Sequence, residues 1–459
     1  MGMKADENEE EIGSGEPPGG ARARGTIAAK TGLKMGANYA RYLARRATGT
    51  DKAEARKTLH TQNAEDLFTD LSKLRGTALK MAQGLSMEPG FLPEQFSQIL
   101  AKAQYEVPAM GSALVRRLVT SAFGMPPEEA FAFFEPDAMA AASLGQVHRA
   151  TLHDGRDVVV KVQYPNVRES VDSDLKLVRG LAGRFVDAES IDPFLQEVRE
   201  KMMEETDYLH EGRNIEIFAE RFVDTDIVTP RWVPERTTER VLTMTYVEGK
   251  HLKEYLATNP TQEERNRFGQ ILWDTVHQQI GADHLSVHAD AHPGNFLFRK
   301  DGKLGLLDYG CVKVFPRSFR DSLIDLYRAR MAGDAEGQEK ALTELDVLSD
   351  AVQGDERTYL IGILDLMGAV IESLYREDRY DFGSGALLNE FQSIIPKLTG
   401  REAFKYRRPV GSHHFVFVNR LLAGMISMLT QLDAQIDTRY ARACLDQVDT
   451  SQSTRSTSA

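Results

Sequence analysis

The chain has 459 residues, 42% hydrophobic and 27% charged, and its 56 basic against 68 acidic side chains give a net charge of −12. That is the composition of a soluble globular protein of about two domains or one large two-lobed unit, able to bury a core without staples, and its acidic balance argues against broad nucleic-acid binding. Cys311 and Cys444 are too few for a disulfide framework and point to a reducing compartment; acids follow Met3-Lys4 where a signal peptide would be apolar, and no run approaches the roughly 18 to 20 apolar residues of a membrane span.

Residues 1–20 carry six acids against Lys4, with Gly, Ser and Pro-Pro. That is too little apolar surface to offset ordering entropy, so a disordered acidic tail is expected. The sign then reverses. Residues 21–57 hold ten Lys and Arg and two acids; Lys30, Lys34, Arg41 and Arg45 fall on one helical stripe, with Leu33, Ala37, Ala40, Leu43 and Ala44 mostly away from it. Two readings fit this basic amphipathic segment, 21–60: it lies on an anionic membrane surface, or it is a solvated helix packing small residues on the body. Residues 61–138 read as a helical extension. Candidate strands follow at 145–151 and 157–163, joined by His153-Asp154-Gly155-Arg156, in which Asp-Gly is a hairpin signal. Residues 168–220 read as helical, 226–232 and 240–246 as short strands. From Gly249 the chain is mostly helical apart from a strand-like pair at 296–298 and 303–307. The order is a small mixed lobe over 139–249, a connector, and a larger helical lobe over 250–448, with low-complexity 449–459 as a second disordered tail.

The segment 287–310 holds Asp290 and Asn295 five apart in a loop rich in His, Pro and Gly, and Asp308 at the end of an apolar run. Phosphoryl transfer needs oxygen ligands for magnesium and a group that orients the attacking oxygen. A carboxylate, a carboxamide and a second carboxylate on two neighbouring loops supply both, in the spacing of protein-kinase catalytic and metal loops. Each alone is a common turn residue; the ordered set is what points to phosphoryl transfer. His288 and His292 flank the aspartate in a Pro-Gly loop rather than on a helix, which argues against zinc. Val158-Val159-Val160-Lys161 ends an apolar strand on a lysine, either an edge charge or a holder of nucleotide phosphates. Such a lysine needs an orienting carboxylate, and the helical stretch 197–220 offers Glu205, Asp207 and Glu211. Asp207 and Glu211, four apart, share a face, while Glu205 lies about 200° from Asp207. Ala140-Ala141-Ala142-Ser143-Leu144-Gly145 stands where a kinase has a glycine-rich loop, and alanines make a stiffer cover. Met244-Thr245-Tyr246-Val247-Glu248-Gly249 reads as the connector whose backbone meets the adenine edge, with Met244 lining the pocket.

Together these pieces resemble the UbiB/AarF family of atypical kinase-like proteins linked to ubiquinone biosynthesis. The resemblance rests on AAASLGQVH at 140–148, VVVKVQYP at 158–165, EETDYLHE at 204–211, HADAHPGN at 288–295, LLDYG at 306–310, and the lysine and glutamine of LRGTALKMAQGLSM at 74–87, and it covers residues 60–430. It implies an α+β, atypical protein-kinase-like two-lobed fold with an N-terminal helical extension packed over the cleft. It also implies binding of ATP or ADP with Mg2+, and ATPase or small-molecule or lipid phosphoryl transfer in place of conventional protein-kinase activity. By this resemblance Lys80 and Gln83 form the K-x-G-Q pair on a helix over the active site. Glu205 and Asp207 form the E-x-D motif, with Glu205 the partner of Lys161 and Glu211 the acid that follows. Asp290 is the catalytic aspartate, with His288 as its structural neighbour, and Asn295 and Asp308 are the magnesium ligands. Ala140, Ala141, Ala142, Ser143, Gly145, Lys161, Met244, Tyr246 and Val247 are the nucleotide contacts. The implied partners are a nucleotide, anionic membrane lipids, quinone-pathway lipids or enzymes, and a second copy of the chain, with no nucleic acid. The implied place is cytoplasmic, peripheral on the inner face of a membrane. A nucleotide-binding scaffold with little turnover is the alternative. Three positions depart from the family pattern: Ala82 replaces the K-x-G-Q glycine, Ala291 replaces a proline, and Tyr309 replaces a phenylalanine, which suits an apolar pocket if its hydroxyl finds a partner. The lack of an A-P-E motif over 311–345 argues against a conventional protein kinase.

Overall fold

The computed structural model describes residues 30, 34, 36–45, 51, 58–59, 61–63, 65–66, 109–142, 144–182, 188–348, 352–398, 412 and 414–450. Lys80, Gln83 and Ser143 lie outside them, as do most of the extension, the acidic tail 1–20 and residues 451–459 of the second tail; Thr450, at the start of that tail, instead donates from Oγ1 to Asp325 Oδ1 at 2.8 Å.

The small lobe begins with helix α1 (Ser112–Phe123) and strands β1 (Phe133–Phe134), β2 (Ala140–Ala142), β3 (Gly145–Thr151) and β4 (Asp157–Gln163). Helices α2 (Val167–Ala182), α3 (Ala188–Glu205) and α4 (Tyr208–Arg221) follow, then β5 (Ile227–Val228) and β6 (Val241–Thr245). The sheet order is β1-β3-β4-β6, with β2 also paired on β3. Val-rich β4 is buried along all but its first residue, as a central strand should be. Side chains alternate along it. Val158, Val160 and Val162 enter a core with Val115 and Val119 of α1 and with Phe131. Val159 belongs to the second core, and Lys161 between Val160 and Val162 is carried to that same side, where the lobes meet. Residues 112–134 thus pack in the small lobe, upstream of the expected start at 139; a two-residue strand is too short to show any period in the sequence.

The large lobe is built on α5 (Gln262–Gly281), started by a Thr261–Glu264 capping box. After it come β7 (Ser286–His288), β8 (Phe296–Phe298), β9 (Leu304–Leu306), β10 (Val312–Val314), α6 (Arg317–Ala332), α7 (Gly354–Arg376) and α8 (Phe415–Gln431). β8 pairs antiparallel with β9, β5 pairs parallel with β9, and β7 pairs antiparallel with β10. One correction concerns membrane spans: α7 is long and apolar enough to cross a membrane, with 23 residues, a mean hydropathy of 1.4 and 17% of its apolar window buried. Asp365 and Glu372 break its apolar run, which hides it from a search for an unbroken one.

The basic segment is helical over 36–45. It buries Asn38, whose Nδ2 donates to Asn63 Oδ1 at 2.9 Å and Asp66 Oδ2 at 2.8 Å. Ala37, Ala40, Leu43 and Ala44 are exposed, so its small residues are not what packs on the body.

Candidate active site

Lys161 Nζ lies 2.9 and 3.0 Å from the two carboxylate oxygens of Glu211 and 3.3 Å from Asp308 Oδ2. The lysine and Glu211 side chains are 7% and 3% exposed, and Asp308 is 31% exposed, open to the cleft. Burial alone would lower the Lys161 pKa, but the Asp308 and Glu211 carboxylates outweigh it and hold the ammonium well above the usual lysine range. Burial pushes Glu211 up to about 7 against the pull of Lys161.

Two loops of the large lobe complete the site. The first runs from β7 to β8 and carries Asp290 and Asn295; the second follows β9 and carries Asp308. They are joined by main-chain bonds from Leu307 N–H to Asn295 O at 3.0 Å and from Ala289 N–H to Cys311 O at 2.9 Å. His288, fully buried, bonds the Asp308 carbonyl through Nε2. Because a carbonyl only accepts, that nitrogen carries the proton, and burial keeps the ring pKa below the usual histidine range. Gly310 N–H donates to Asp308 Oδ1 at 2.9 Å, and Asn295 Nδ2 donates to the Asp290 carbonyl at 3.1 Å. Asp290 itself ion-pairs with Arg420 of α8 at 2.8 Å. The structure therefore brings Lys161, Glu211 and Asp308 into direct contact, with Asn295 and Asp290 on the adjoining loop.

Four expectations change. First, Glu211 rather than Glu205 holds Lys161. The expected continuous helix is broken: α3 ends at Glu205 and α4 restarts at Tyr208. Asp207 is the N-cap between them, accepting from Leu209 N–H at 3.0 Å and His210 N–H at 3.4 Å. Glu211 sits one turn into the new helix, on its buried face with Ile215 and Phe218. Glu205 remains nearby, its Cγ 3.8 Å from where a Cβ on Gly310 would stand. Second, the alanine run is a paired strand: Ala140 lies opposite Val147 and Ala142 opposite Gly145. Gly145 is required there, because a Cβ would stand 2.3 Å from the Val162 carbonyl oxygen. Third, Met244 is buried and pairs with Val159, and Tyr246 N–H already donates to Asp157 O at 3.0 Å, so Tyr246 has no N–H to offer a base. Its ring lies under the Arg149 guanidinium at 3.5 Å. Fourth, Tyr309 fills its apolar pocket against Phe218 and His288 at 5.3 and 5.5 Å, but among the described residues its buried hydroxyl has no hydrogen-bond partner.

Sequence reasoning missed several polar residues that set this geometry. Asn214 Nδ2 donates to the Tyr309 carbonyl at 3.0 Å. Gln146 Oε1 accepts from Met110 N–H at 2.7 Å, and its Nε2 bonds His148 Nε2 at 2.9 Å. His148 in turn donates from Nδ1 to the Glu135 carbonyl at 2.9 Å. Gln279 Oε1 accepts from His288 N–H at 2.9 Å. The available signal was a polar residue at a position whose neighbours in the pattern are core.

The ABC1 atypical kinase-like domain profile matches residues 102–342. The chain is 35% identical over 258 residues to an uncharacterized protein of Synechocystis sp., covering 55% of this chain and 45% of that one. It is 32% identical over 294 residues to mouse AarF domain-containing protein kinase 1 (62% and 56%), and 28% identical over 388 residues to the mitochondrial atypical kinase coq-8 of Caenorhabditis elegans (82% and 50%). The chain thus spans about half the length of these relatives. Among solved structures, Rv3197 of Mycobacterium tuberculosis in complex with erythromycin superposes with a TM-score of 0.58 at 25% identity, covering 87% of this chain and 98% of that one.

Proposed function

Because the chain belongs to the ABC1/AarF (UbiB) family of atypical kinase-like proteins, we propose that it binds ATP or ADP between its lobes and transfers the γ-phosphoryl group to water or to a small or lipid-like acceptor, in support of isoprenoid-quinone biosynthesis at a membrane. One observation carries this reading: Lys161, Glu211 and Asp308, 50 and 147 residues from the lysine in sequence, meet in an ion network at the junction of the lobes. A lysine oriented in this way is the phosphate anchor of kinase-like sites.

In this reading Lys161 holds the α- and β-phosphates beneath the hairpin of Ala140, Ala141, Ala142 and Gly145, and Ser143 is assigned to the same nucleotide contact. The adenine edge meets the main chain at Val247, beside Met244 and Tyr246. Asp290 orients the attacking oxygen and accepts its proton. Asn295 and Asp308 fit a magnesium ion by donor chemistry. Asn295 directs its amide hydrogens at the Asp290 carbonyl, which leaves Oδ1 for a cation, and Asp308 adds a carboxylate. Magnesium takes one or two protein oxygens and fills the rest with water and phosphate. Among the described residues no group of three or more His, Cys, Asp or Glu offers a rival metal site. When bound, the ion neutralises charge on the phosphate oxygens. Lys80, Gln83 and Asp207 are assigned to a regulatory cover. Lys30, Lys34, Arg41 and Arg45, with Tyr39 and Leu43 exposed at 55% and 53%, are the proposed contact with anionic lipid. A second reading, a nucleotide-binding scaffold with little turnover, is favoured by the pairing of Ala140–Ala142 into the sheet, which restrains the cover.

Hydrolysis of ATP and thermal-shift binding of Mg·ADP, with and without anionic liposomes, test this in wild type, Asp308→Asn and Asp290→Asn. Asp308→Asn is expected to lose the magnesium-dependent shift with its fold intact. Asp290→Asn is expected to keep the shift and lose liposome-stimulated turnover by about a hundredfold or more. Unchanged Mg·ADP affinity in Asp308→Asn rejects the metal assignment, and binding without turnover in wild type selects the scaffold.

A further inference from the structure

We propose that Arg420 is a positioning residue for the phosphoryl-transfer centre, holding the Asp290 carboxylate through Oδ1 and so fixing its orientation toward the attacking hydroxyl or water. This rests on the nucleotide reading above. Arg420 is the sole charged residue in α8, FVFVNRLLAGMISMLTQ, and a half-buried guanidinium in an apolar helix needs a partner. Its Nη2 lies 2.8 Å from Asp290 Oδ1, with Arg420 31% and Asp290 17% exposed.

The helix that carries it is fixed against the site on both sides of the arginine. One turn on, at Gly424, a Cβ would stand 2.3 Å from the Ala291 carbonyl oxygen, so the helix backbone touches the residue next to Asp290. Three residues before Arg420, the Phe417 ring takes Lys313 Nζ at 4.6 Å. Lys313 lies on β10, which follows the Asp308 loop and pairs with β7, the strand leading into the Asp290 loop. Leu421, Met425, Met428 and Leu429, 0 to 2% exposed, lock α8 into the core. Positions 417, 420 and 424 form one face that spans both loops. Asp290 is thereby held at its main chain by Asn295 and at its side chain by Arg420. No bond is made or broken at the guanidinium, which stays protonated. Phosphoryl transfer depends on placing the attacking oxygen, and a misplacement of about 1 Å costs about a hundredfold in rate.

The test is steady-state ATP hydrolysis by the full chain, with thermal-shift binding of Mg·ADP, for wild type, Arg420→Met, Arg420→Lys, Asp290→Asn and the Asp290→Asn/Arg420→Met double variant. Arg420→Met is expected to lower kcat by about tenfold to a hundredfold with KM and the Mg·ADP shift within about twofold of wild type. Arg420→Lys is expected to recover part of the loss, and the double variant to be no slower than Asp290→Asn alone, since the arginine acts through that carboxylate. A kcat in Arg420→Met equal to wild type overturns the assignment and leaves the nucleotide reading standing. So does an additive further loss in the double variant, or a fall in kcat matched by an equal loss of Mg·ADP binding that lysine does not restore. A wild type that binds Mg·ATP without turning it over overturns it as well. A wild type that neither binds nor hydrolyses Mg·ATP overturns the nucleotide reading itself and this proposal with it.

Discussion

Which acid orients Lys161 is decided by where a helix starts. From the sequence, Glu205 and Glu211 both stand within reach of the strand lysine. The residue spacing alone does not reveal that Asp207 ends one helix and caps the next, which puts Glu211 rather than Glu205 on the face toward β4. The consequence is measurable. Lys161 and Glu211 form a buried pair, and removing the Glu211 charge leaves the ammonium with Asp308 at 3.3 Å as its counter-charge, at a cost of about 2 to 3 kcal/mol. Glu211→Gln is therefore expected to lower the free energy of urea unfolding by about that much and to weaken Mg·ADP binding, while Glu205→Gln should lose less than half as much. A larger loss in Glu205→Gln would restore it as the partner. Arg420 shows the limit of residue-level reading. A lone arginine in an apolar helix announces a buried partner, but nothing in the spacing says that the partner is Asp290.

At the scale of elements, the strands with strong local signals were legible. β3 and β4 fall at 145–151 and 157–163 as expected, because a Val-rich central strand bounded by Asp-Gly leaves little choice of boundary. β7 and β10 were not legible: each has three residues, too few for a period of two to repeat, and their pairing is fixed by the two loops they flank. The break between α3 and α4 was missed because its marker, an aspartate before a helix, sat inside a run of acids that also reads as an exposed helix face. Asp207→Ala removes the acceptor for Leu209 and His210 N–H. It is expected to cost about 1 kcal/mol and, by fraying the turn that carries Glu211, to weaken Mg·ADP binding in the same measurement. A stability loss with no change in binding would separate the cap from the site.

Over the whole molecule, one buried histidine makes stability depend on pH. In the large lobe His277 bridges α5 and α7, with Nδ1 donating to the Trp273 carbonyl at 2.7 Å and Nε2 accepting from the Tyr375 hydroxyl at 2.8 Å. Both nitrogens are committed to the neutral ring, and burial lowers the pKa to about 4 from its ordinary 6.5. Between those values the unfolded chain takes up a proton that the folded chain refuses. The contribution of His277 is therefore fully present above 6.5 and is lost as pH falls toward 4, by about 2 kcal/mol from pH 7.5 to 5. His277→Gln removes this contribution. Its unfolding free energy relative to wild type is expected to be about 2 kcal/mol more favourable at pH 5 than at pH 7.5, read from urea denaturation at the two pH values. A difference that does not change with pH would mean that the folded protein accepts a proton at His277 after all, and that the histidine does not stay neutral between α5 and α7.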